Sequence, residues 1–424
     1  MTSDTLFALA DCDCFYASCE RVFAPSLKNR PVIVLSNNDG CVITRSREAK
    51  ALGIKMGEPA FMREGFYRKH GVAVFSSNFA LYGDMSRRVM DVLARFSPDM
   101  EVYSIDEAFL KFEPPRGKTA EALAREARAM ILKWTGIPVS FGVASTKTRA
   151  KVAVRFAKKN PDAAGVFDLE AAPDADRLLA GVDAGDVWGV GRRYRRMLAG
   201  HGIRTALQLK QAPDHFIKRR MTITGLATVR ELRGEPLIAL EGAPPPKQSI
   251  LTSRCFGWKL NTFQAVAGAV SEFAARCAEK LRDQDGEAAL VSVFILTDVH
   301  SEEDPQHTGY ATLPLPAPTA HTARIITRAK QALETIYRPG HAYKKAGVML
   351  SGLTSGESRQ YHLLDHPPDA EGERLMAAMD AVNRRWGRGA LSYAAANRGK
   401  SWKMRQNLKS PRFTTCWDEL PRAG

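Results

Sequence analysis

One stretch constrains this chain more than any other: Tyr103-Ser104-Ile105-Asp106-Glu107-Ala108-Phe109, two adjacent carboxylates set among residues that otherwise favour a buried strand. Ionised Asp and Glu are almost never left in apolar surroundings unless a cation or hydrogen-bond donors compensate them. A second apolar run, Leu6-Phe7-Ala8-Leu9-Ala10, leads directly into Asp11, Cys12, Asp13, Cys14, Phe15 and Tyr16. Laid side by side, the two strands bring Asp11, Asp106 and Glu107 together. Hard divalent cations such as Mg2+ take oxygen ligands and are shared between a few carboxylates and substrate phosphates, so the cluster points to two-metal phosphoryl transfer. Neighbouring strand residues point to opposite faces, so Asp106 and Glu107 reach one site only through a bend, a bulge or the longer Glu side chain. An isolated Asp-Glu pair is more often an edge or turn feature; the Asp11 strand is what favours the metal reading.

Charge narrows the substrate. Lys plus Arg total 61 against 46 Asp plus Glu, a net charge of +15, which suits an acidic polymer whose backbone phosphates are neutralised in a salt-sensitive, largely sequence-independent way. At 424 residues the prior is roughly two to four domains. No apolar run approaches the roughly 18 residues of a membrane span, and Met1-Thr2-Ser3-Asp4 lacks the basic start of a secretion signal. The expectation is a cytoplasmic protein with no membrane partner. The seven cysteines include no CxxC pair and the nine histidines no HExxH, so neither a disulfide framework nor a zinc site is indicated.

Along the chain, Pro31-Val32-Ile33-Val34-Leu35 reads as a buried strand ending in the turn Ser36-Asn37-Asn38-Asp39-Gly40. A helix is expected next, carrying Arg45, Arg47 and Lys50 and ended by Gly53. Pro138 to Ala144 is another strand, followed by a helix capped near Ser145-Thr146. On that helix Lys147, Lys151, Arg155 and Lys158 share one face without an acid. Like charges at this spacing repel mildly, which is tolerable on a solvated face and typical of one turned to phosphate. The run Asp186-Val187-Trp188-Gly189-Val190-Gly191-Arg192-Arg193 looks like a helix-hairpin-helix, with a second short helix from Thr205 to Lys210. In that motif glycines let amides at a helix start approach a DNA phosphate. A Pro-rich linker at 242–246 precedes strand, helix, two strands, helix and strand at about 249–258, 263–283, 288–299, 308–313, 319–337 and 344–351, a split βαβ order. Its helices would cover one sheet face and leave the other for a partner. Beyond 357 the apolar pattern weakens, and from Arg384 to Arg412 there are nine Lys or Arg and no acid, interleaved with Trp386, Tyr393 and Trp402. This tail reads equally as a nucleic-acid or protein contact and as a basic solvated extension.

Asp11 with Phe15-Tyr16, Ser104 to Phe109, and the hairpin at Gly189–Gly191 occur in the order found in Y-family translesion DNA polymerases, which the chain resembles over most of its length. Within that family it is most similar to the UmuC-type catalytic subunit of DNA polymerase V. Leu35 to Ile43, Val229 to Pro236, Lys345 to Leu350 and Ser410 to Thr415 carry this closer likeness. The resemblance implies an α+β multidomain fold: a right-hand polymerase with ferredoxin-like palm, small fingers, a helical helix-hairpin-helix thumb and a split βαβ little finger. The corresponding boundaries are palm 1–36 and 81–170, fingers 37–80, thumb 171–241, linker 242–246, little finger 247–356 and basic tail 357–424.

It further implies error-prone translesion synthesis in the SOS response to DNA damage, acting on primer-template DNA and deoxynucleoside triphosphates. Asp11, Asp106 and Glu107 would hold two Mg2+ ions with the Cys12 carbonyl as a further ligand. Phe15, Thr44, Arg47, Lys50 and Lys158 would contact the nucleotide, and Tyr16 would stack under the sugar and exclude a 2′-hydroxyl. Arg47 stands where several relatives have Tyr. Gly189, Gly191, Arg192, Arg193, Lys147, Lys151 and Arg155 are the expected DNA contacts. Gln360, Leu363 and Leu364 would form a sliding-clamp peptide, weakened because Leu364 stands where an aromatic is usual. A processed UmuD-type dimer and the RecA filament are the other implied partners. Two alternatives use the same residues: a non-catalytic DNA-damage scaffold, against which the intact carboxylates count, and a palm-type nucleotidyl cyclase, which needs neither hairpin nor ribose filter.

Overall fold

The computed structural model describes residues 5–242, 245–355, 370–396 and 402–421. It divides into two compact units, one formed by residues 1–36, 40–244 and 408–424 and the other by 37–39 and 245–407.

In the first unit, strand β1 (Leu6–Cys12) is followed by helix α1 (Phe15–Phe23), strands β2 (Val32–Leu35) and β3 (Val42–Arg45), helices α2 (Arg47–Ala51) and α3 (Glu64–Lys69), β4 (Ala73–Ser76) and α4 (Phe79–Leu93). Strands β5 (Met100–Val102) and β6 (Glu107–Phe112), helix α5 (Ala120–Thr135), β7 (Val139–Ala144), α6 (Lys147–Lys159) and β8 (Val166–Asp168) complete its sheets. The larger sheet has the order β5-β6-β1-β7-β8, with β1 antiparallel to both β6 and β7. β1 is buried on both faces, which explains its unbroken apolar run. Ala8, Ala10 and Cys12 join the core that includes Tyr82, Met85 and Leu93 of α4 and Leu123, Ala127 and Ile131 of α5. Phe7 and Leu9 point the other way, into a core with Ala150, Ala153 and Val154 of α6.

A smaller sheet has the order β3-β2-β4. Here the expected helix after the 36–40 turn is corrected: the chain first returns as β3, pairing Val42 with Leu35 and Arg45 with Ile33. Val42, Ile43 and Thr44 are β-branched and suit a half-buried strand better than a helix. Only then does α2 form, capped by Ser46 and followed by Gly53 at φ 74°. Helices α7 (Ala175–Ala180), α8 (Arg192–Gly200), α9 (Ala206–Gln211) and α10 (Asp214–Leu232) enclose a separate core. Thr205 and Gln208 form a capping box at the start of α9. The buried Glu231 carboxylate accepts from the Thr148 amide at 2.9 Å, the Thr148 hydroxyl at 2.8 Å and the Ile238 amide at 2.8 Å, tying α10 to the start of α6.

The second unit contains β9 (Ser249–Leu260), α11 (Phe263–Arg282), β10 (Gly286–Thr297), β11 (Thr308–Thr319), α12 (Thr322–Ile336), β12 (Tyr343–Ser355) and α13 (Ala370–Trp386). All pairs in its sheet, ordered β11-β10-β12-β9, are antiparallel. The element order matches the sequence reading, but β11 continues to Thr319 through Pro314, Pro316 and Pro318. It is an edge strand, where prolines are tolerated because no second neighbour needs their missing amides. α13 was not foreseen within the basic tail. Arg282 holds it by two bonds to Asp380, at 2.7 and 2.8 Å, while also donating to the Ala320 carbonyl.

Candidate active site

Strand alternation puts Asp11 on the same side of β1 as Phe7 and Leu9, the side covered by α6. In the antiparallel pair β1–β6, Asp11 lies directly opposite Glu107, so both carboxylates emerge on that side. Asp106 does not belong to the strand. It sits in the bend before β6, its carboxylate accepting from Ser104 Oγ at 2.6 Å and its carbonyl accepting from the Cys12 amide at 2.9 Å. Ser104 Oγ in turn accepts from the amides of Asp106 and Glu107 at 3.2 and 3.1 Å. The bend takes Asp106 out of the strand's alternation, and both Asp106 and Glu107 are near enough to raise the Asp11 carboxyl.

The cationic face of α6 meets these acids. Lys147 is 2% exposed and pairs with Glu101 at 2.6 Å, with its ammonium 4.8 Å from the centre of the Phe109 ring. It is enclosed by protein and is not a phosphate contact. Lys151 reaches Glu107 at 2.9 Å, Lys158 reaches Asp11 at 2.6 Å, and Arg155 pairs with Asp186. The mutual repulsion anticipated along this face is therefore relieved by acids from other elements. Burial pushes the Asp11 carboxyl up to about 7 against the pull of Lys158, with Glu107 and Asp106 adding to the rise. For Lys158 burial acts downward, but Asp11, Asp13 and Glu107 outweigh it and raise the ammonium.

Asp13, which the sequence reading left without a role, gathers the expected nucleotide-binding cations. Arg47 lies 3.3 Å and Lys158 Nζ 3.9 Å from its carboxylate, which also accepts from Ser140 Oγ at 2.9 Å. Lys50 Nζ is 3.3 Å from Cys14 Sγ. Arg47, Lys50 and Lys158 thus converge on the β1–α1 turn, while Thr44 is half-buried in β3. The Phe15 side chain is buried in the main core. Tyr16 is half-buried, stacked on Tyr82 with ring centres 4.5 Å apart and planes 15° apart, and meets the edge of Phe79 at 5.9 Å. Burial raises the Tyr16 hydroxyl pKa, Asp106 adding to the effect. No sequence signal links Tyr82 or Phe79 to Tyr16, because they come from a helix more than sixty residues further on.

Among the described residues no three His, Cys, Asp or Glu side chains converge as a finished metal centre. The donors nevertheless fit a hard divalent ion: hard carboxylate oxygens, two of them on partner residues in register, half-buried and paired here with lysines.

At the hairpin, Gly189 has φ 80°, a conformation glycine adopts without strain. Gly191 is the N-cap residue of α8 and makes no side-chain cap hydrogen bond. Arg192 and Arg193 are exposed, and Arg195 is held by Asp183 at 2.7 Å. Gln360, Leu363 and Leu364 lie outside the described residues.

Residues 10–155 match the impB/mucB/samB family and residues 247–363 its C-terminal domain. The Protein UmuC of Salmonella typhimurium strain LT2 is 43% identical over 98% of this chain and all of its own length. The chain belongs to the impB/mucB/samB family. It is thus a UmuC-type member of the Y-family, and a DNA polymerase. Residues 373–423 match a domain of unknown function, DUF4113. Protein ImpB of S. typhimurium is 43% identical over 99% of both chains, and DNA polymerase IV of Desulfatibacillum aliphaticivorans 28% identical over 93% of this chain and 97% of its own. A solved Y-family DNA polymerase chimera of Dbh and Dpo4 superposes with a TM-score of 0.65 at 19% identity, covering 82% of this chain and 99% of that one. The fold is accordingly a right-hand polymerase with palm, fingers, thumb and little finger. Among the described residues no helix is long and apolar enough to cross a membrane.

Proposed function

We propose that this family member performs error-prone translesion synthesis in the SOS response, adding deoxynucleotides to a primer 3′-hydroxyl by a two-metal mechanism. The observation that carries the mechanism is Asp11 facing Glu107 across β1–β6 with Asp106 in the adjoining bend. Asp11, Asp106, Glu107 and the Cys12 carbonyl would hold two Mg2+ ions, whose chemistry is to activate the attacking oxygen and neutralise charge on the departing pyrophosphate. Arg47, Lys50 and Lys158, grouped at the β1–α1 turn, bind the triphosphate, and Thr44 of β3 contacts it. Lys158 and Lys151 keep the carboxylates charge-balanced between turnovers. Tyr16, braced by Tyr82 and Phe79, lies beneath the sugar and excludes a 2′-hydroxyl.

Gly189, Gly191, Arg192 and Arg193 hold the duplex backbone, and Arg155 and Lys151 add positive potential nearby. The palm comprises 1–36 and 81–170, the fingers 37–80, the thumb 171–241 and the little finger 247–356, joined by the 242–246 linker. A processed UmuD-type dimer, the RecA filament and a sliding clamp are the proposed partners, in the cytoplasm where DNA and nucleotides are present.

The test is primer extension past an abasic template site with Mg2+ and four deoxynucleotides, comparing wild type with Asp106→Asn, with and without a UmuD-type dimer and RecA filaments. Losing this carboxylate removes several kcal/mol of metal-borne stabilisation, so extension is expected to fall by more than about a hundredfold with DNA binding retained. Wild-type protein that binds DNA yet never extends a primer would return the scaffold reading.

A further inference from the structure

A segment near the carboxyl terminus is built into the first unit beside the helix that carries Tyr82. Residues 408–413 run over the turn between β4 and α4. Ser76 exchanges two hydrogen bonds with Leu408, its amide donating to the Leu408 carbonyl at 3.0 Å and its hydroxyl accepting from the Leu408 amide at 2.9 Å. Asn78, fully buried at the start of α4, donates to the carbonyls of Ser410 and Pro411 at 3.0 and 3.1 Å and to Ser410 Oγ at 3.0 Å. An Asn in this position ordinarily caps its own helix, but this one makes no side-chain cap and spends its amide on the tail. Phe413 stacks on Phe23 with ring centres 4.7 Å apart and joins the main core.

The hydroxyl of Ser410 both accepts from Asn78 and donates to the buried carboxylate of Glu20 at 3.1 Å. Glu20 Oε1 also accepts from the Tyr82 hydroxyl at 2.5 Å, and Tyr82 is the ring on which Tyr16 is stacked. Ser410, Glu20, Tyr82 and Tyr16 therefore form one continuous chain of contacts, and Asn78 anchors the helix that carries both Tyr82 and Phe79. The links from Ser410 to Glu20 and from Glu20 to Tyr82 are each hydrogen-bonded, and a buried network of this kind loosens when one link is removed.

We propose that Ser410, acting through Glu20 and Tyr82, is a positioning residue for the Tyr16 ring, so that the carboxyl-terminal segment sets how strictly the polymerase selects deoxyribose over ribose. The inference rests on the reading of Tyr16 as the sugar filter. A ring free to tilt admits a 2′-hydroxyl more readily than one held flat against Tyr82.

The experiment measures kcat/KM for a deoxynucleotide and for its ribonucleotide counterpart in the full-length chain, on undamaged template. The variants are Ser410→Ala, Ser410→Thr, Tyr82→Phe, Tyr16→Ala and the Tyr16→Ala/Ser410→Ala double. Tyr16→Ala should abolish most of the discrimination. Ser410→Ala, which removes the two hydrogen bonds of its hydroxyl, and Tyr82→Phe, which removes one, both keep the stacked ring and should each lower it at least about three- to tenfold, the cost of one hydrogen bond. Ser410→Thr, which keeps the hydroxyl, should restore it, and Ser410→Ala should add nothing in the Tyr16→Ala background. Unchanged discrimination in Ser410→Ala and Tyr82→Phe, with Tyr16→Ala still defective, overturns the positioning role and leaves the filter standing. An equal loss for both nucleotides overturns it as mere destabilisation. Unchanged discrimination in Tyr16→Ala overturns the filter and the positioning role together.

Discussion

Lys147 and Lys158 look alike in the sequence, two lysines on one face of one helix, and the structure gives them unrelated work. Lys147 is sealed between Glu101, the Ala239 carbonyl and the Phe109 ring. Removing one partner of a buried pair leaves an uncompensated charge and costs about 3–5 kcal/mol. Lys147→Met is therefore expected to lower the melting temperature markedly in a thermal unfolding scan, while the salt dependence of DNA binding by the surviving folded protein stays as in wild type. A stable variant with a flattened salt slope would restore Lys147 to the DNA surface. Asp11, Asp106 and Glu107, the proposed metal ligands, stand out in the sequence because their chemistry conflicts with their neighbours. Lys147 does not, because its acid lies on a different strand and nothing local marks it.

Helix α6 carries its lysines to Asp11 and Glu107 only because it lies very close to the sheet. Gly142 of β7 makes this possible: a Cβ there would stand 2.2 Å from the Val154 amide nitrogen, 2.4 Å from the Ala150 carbonyl oxygen and 2.8 Å from the Ala153 carbonyl carbon. All three are backbone atoms and cannot swing aside. Gly142→Ala should cost at least about 1–3 kcal/mol of stability from overpacking and should reduce nucleotide addition more than DNA binding, since the helix must move off the carboxylates. Unfolding by urea and primer extension would check both; unchanged values for both would mean the helix relaxes without consequence. Strand β1 and helix α6 were readable from apolar runs and a Thr cap. β3 and the long β11 were misread because a sheet partner decided them: Leu35 and Ile33 for β3, an edge position for the prolines of β11.

Across the whole molecule the excess of positive charge is not spread evenly over function. Much of it on α6 is spoken for by acids, whereas Arg192 and Arg193 at the start of α8 stay exposed. Replacing both with Ala should lower the slope of log binding constant against log salt by about one unit for each phosphate no longer neutralised, read from anisotropy titrations of primer-template DNA at several salt concentrations. An unchanged slope would make them ordinary solvated arginines. The tail shows the same separation of pattern from placement. Residues 370–407 group with the second unit and 408–424 with the first, although the sequence reads as one basic stretch. What the sequence by itself determined was chemistry and periodicity: the acids that need a cation, the basic balance, the hairpin glycines and the order of strands and helices in the second unit. Those are local properties, set by side-chain type and spacing along the chain. Which lysine meets which acid and the placing of Ser410 against Glu20 and Asn78 were decided by tertiary structure alone, because each depends on residues brought together from distant parts of the chain by burial of the apolar surface between them.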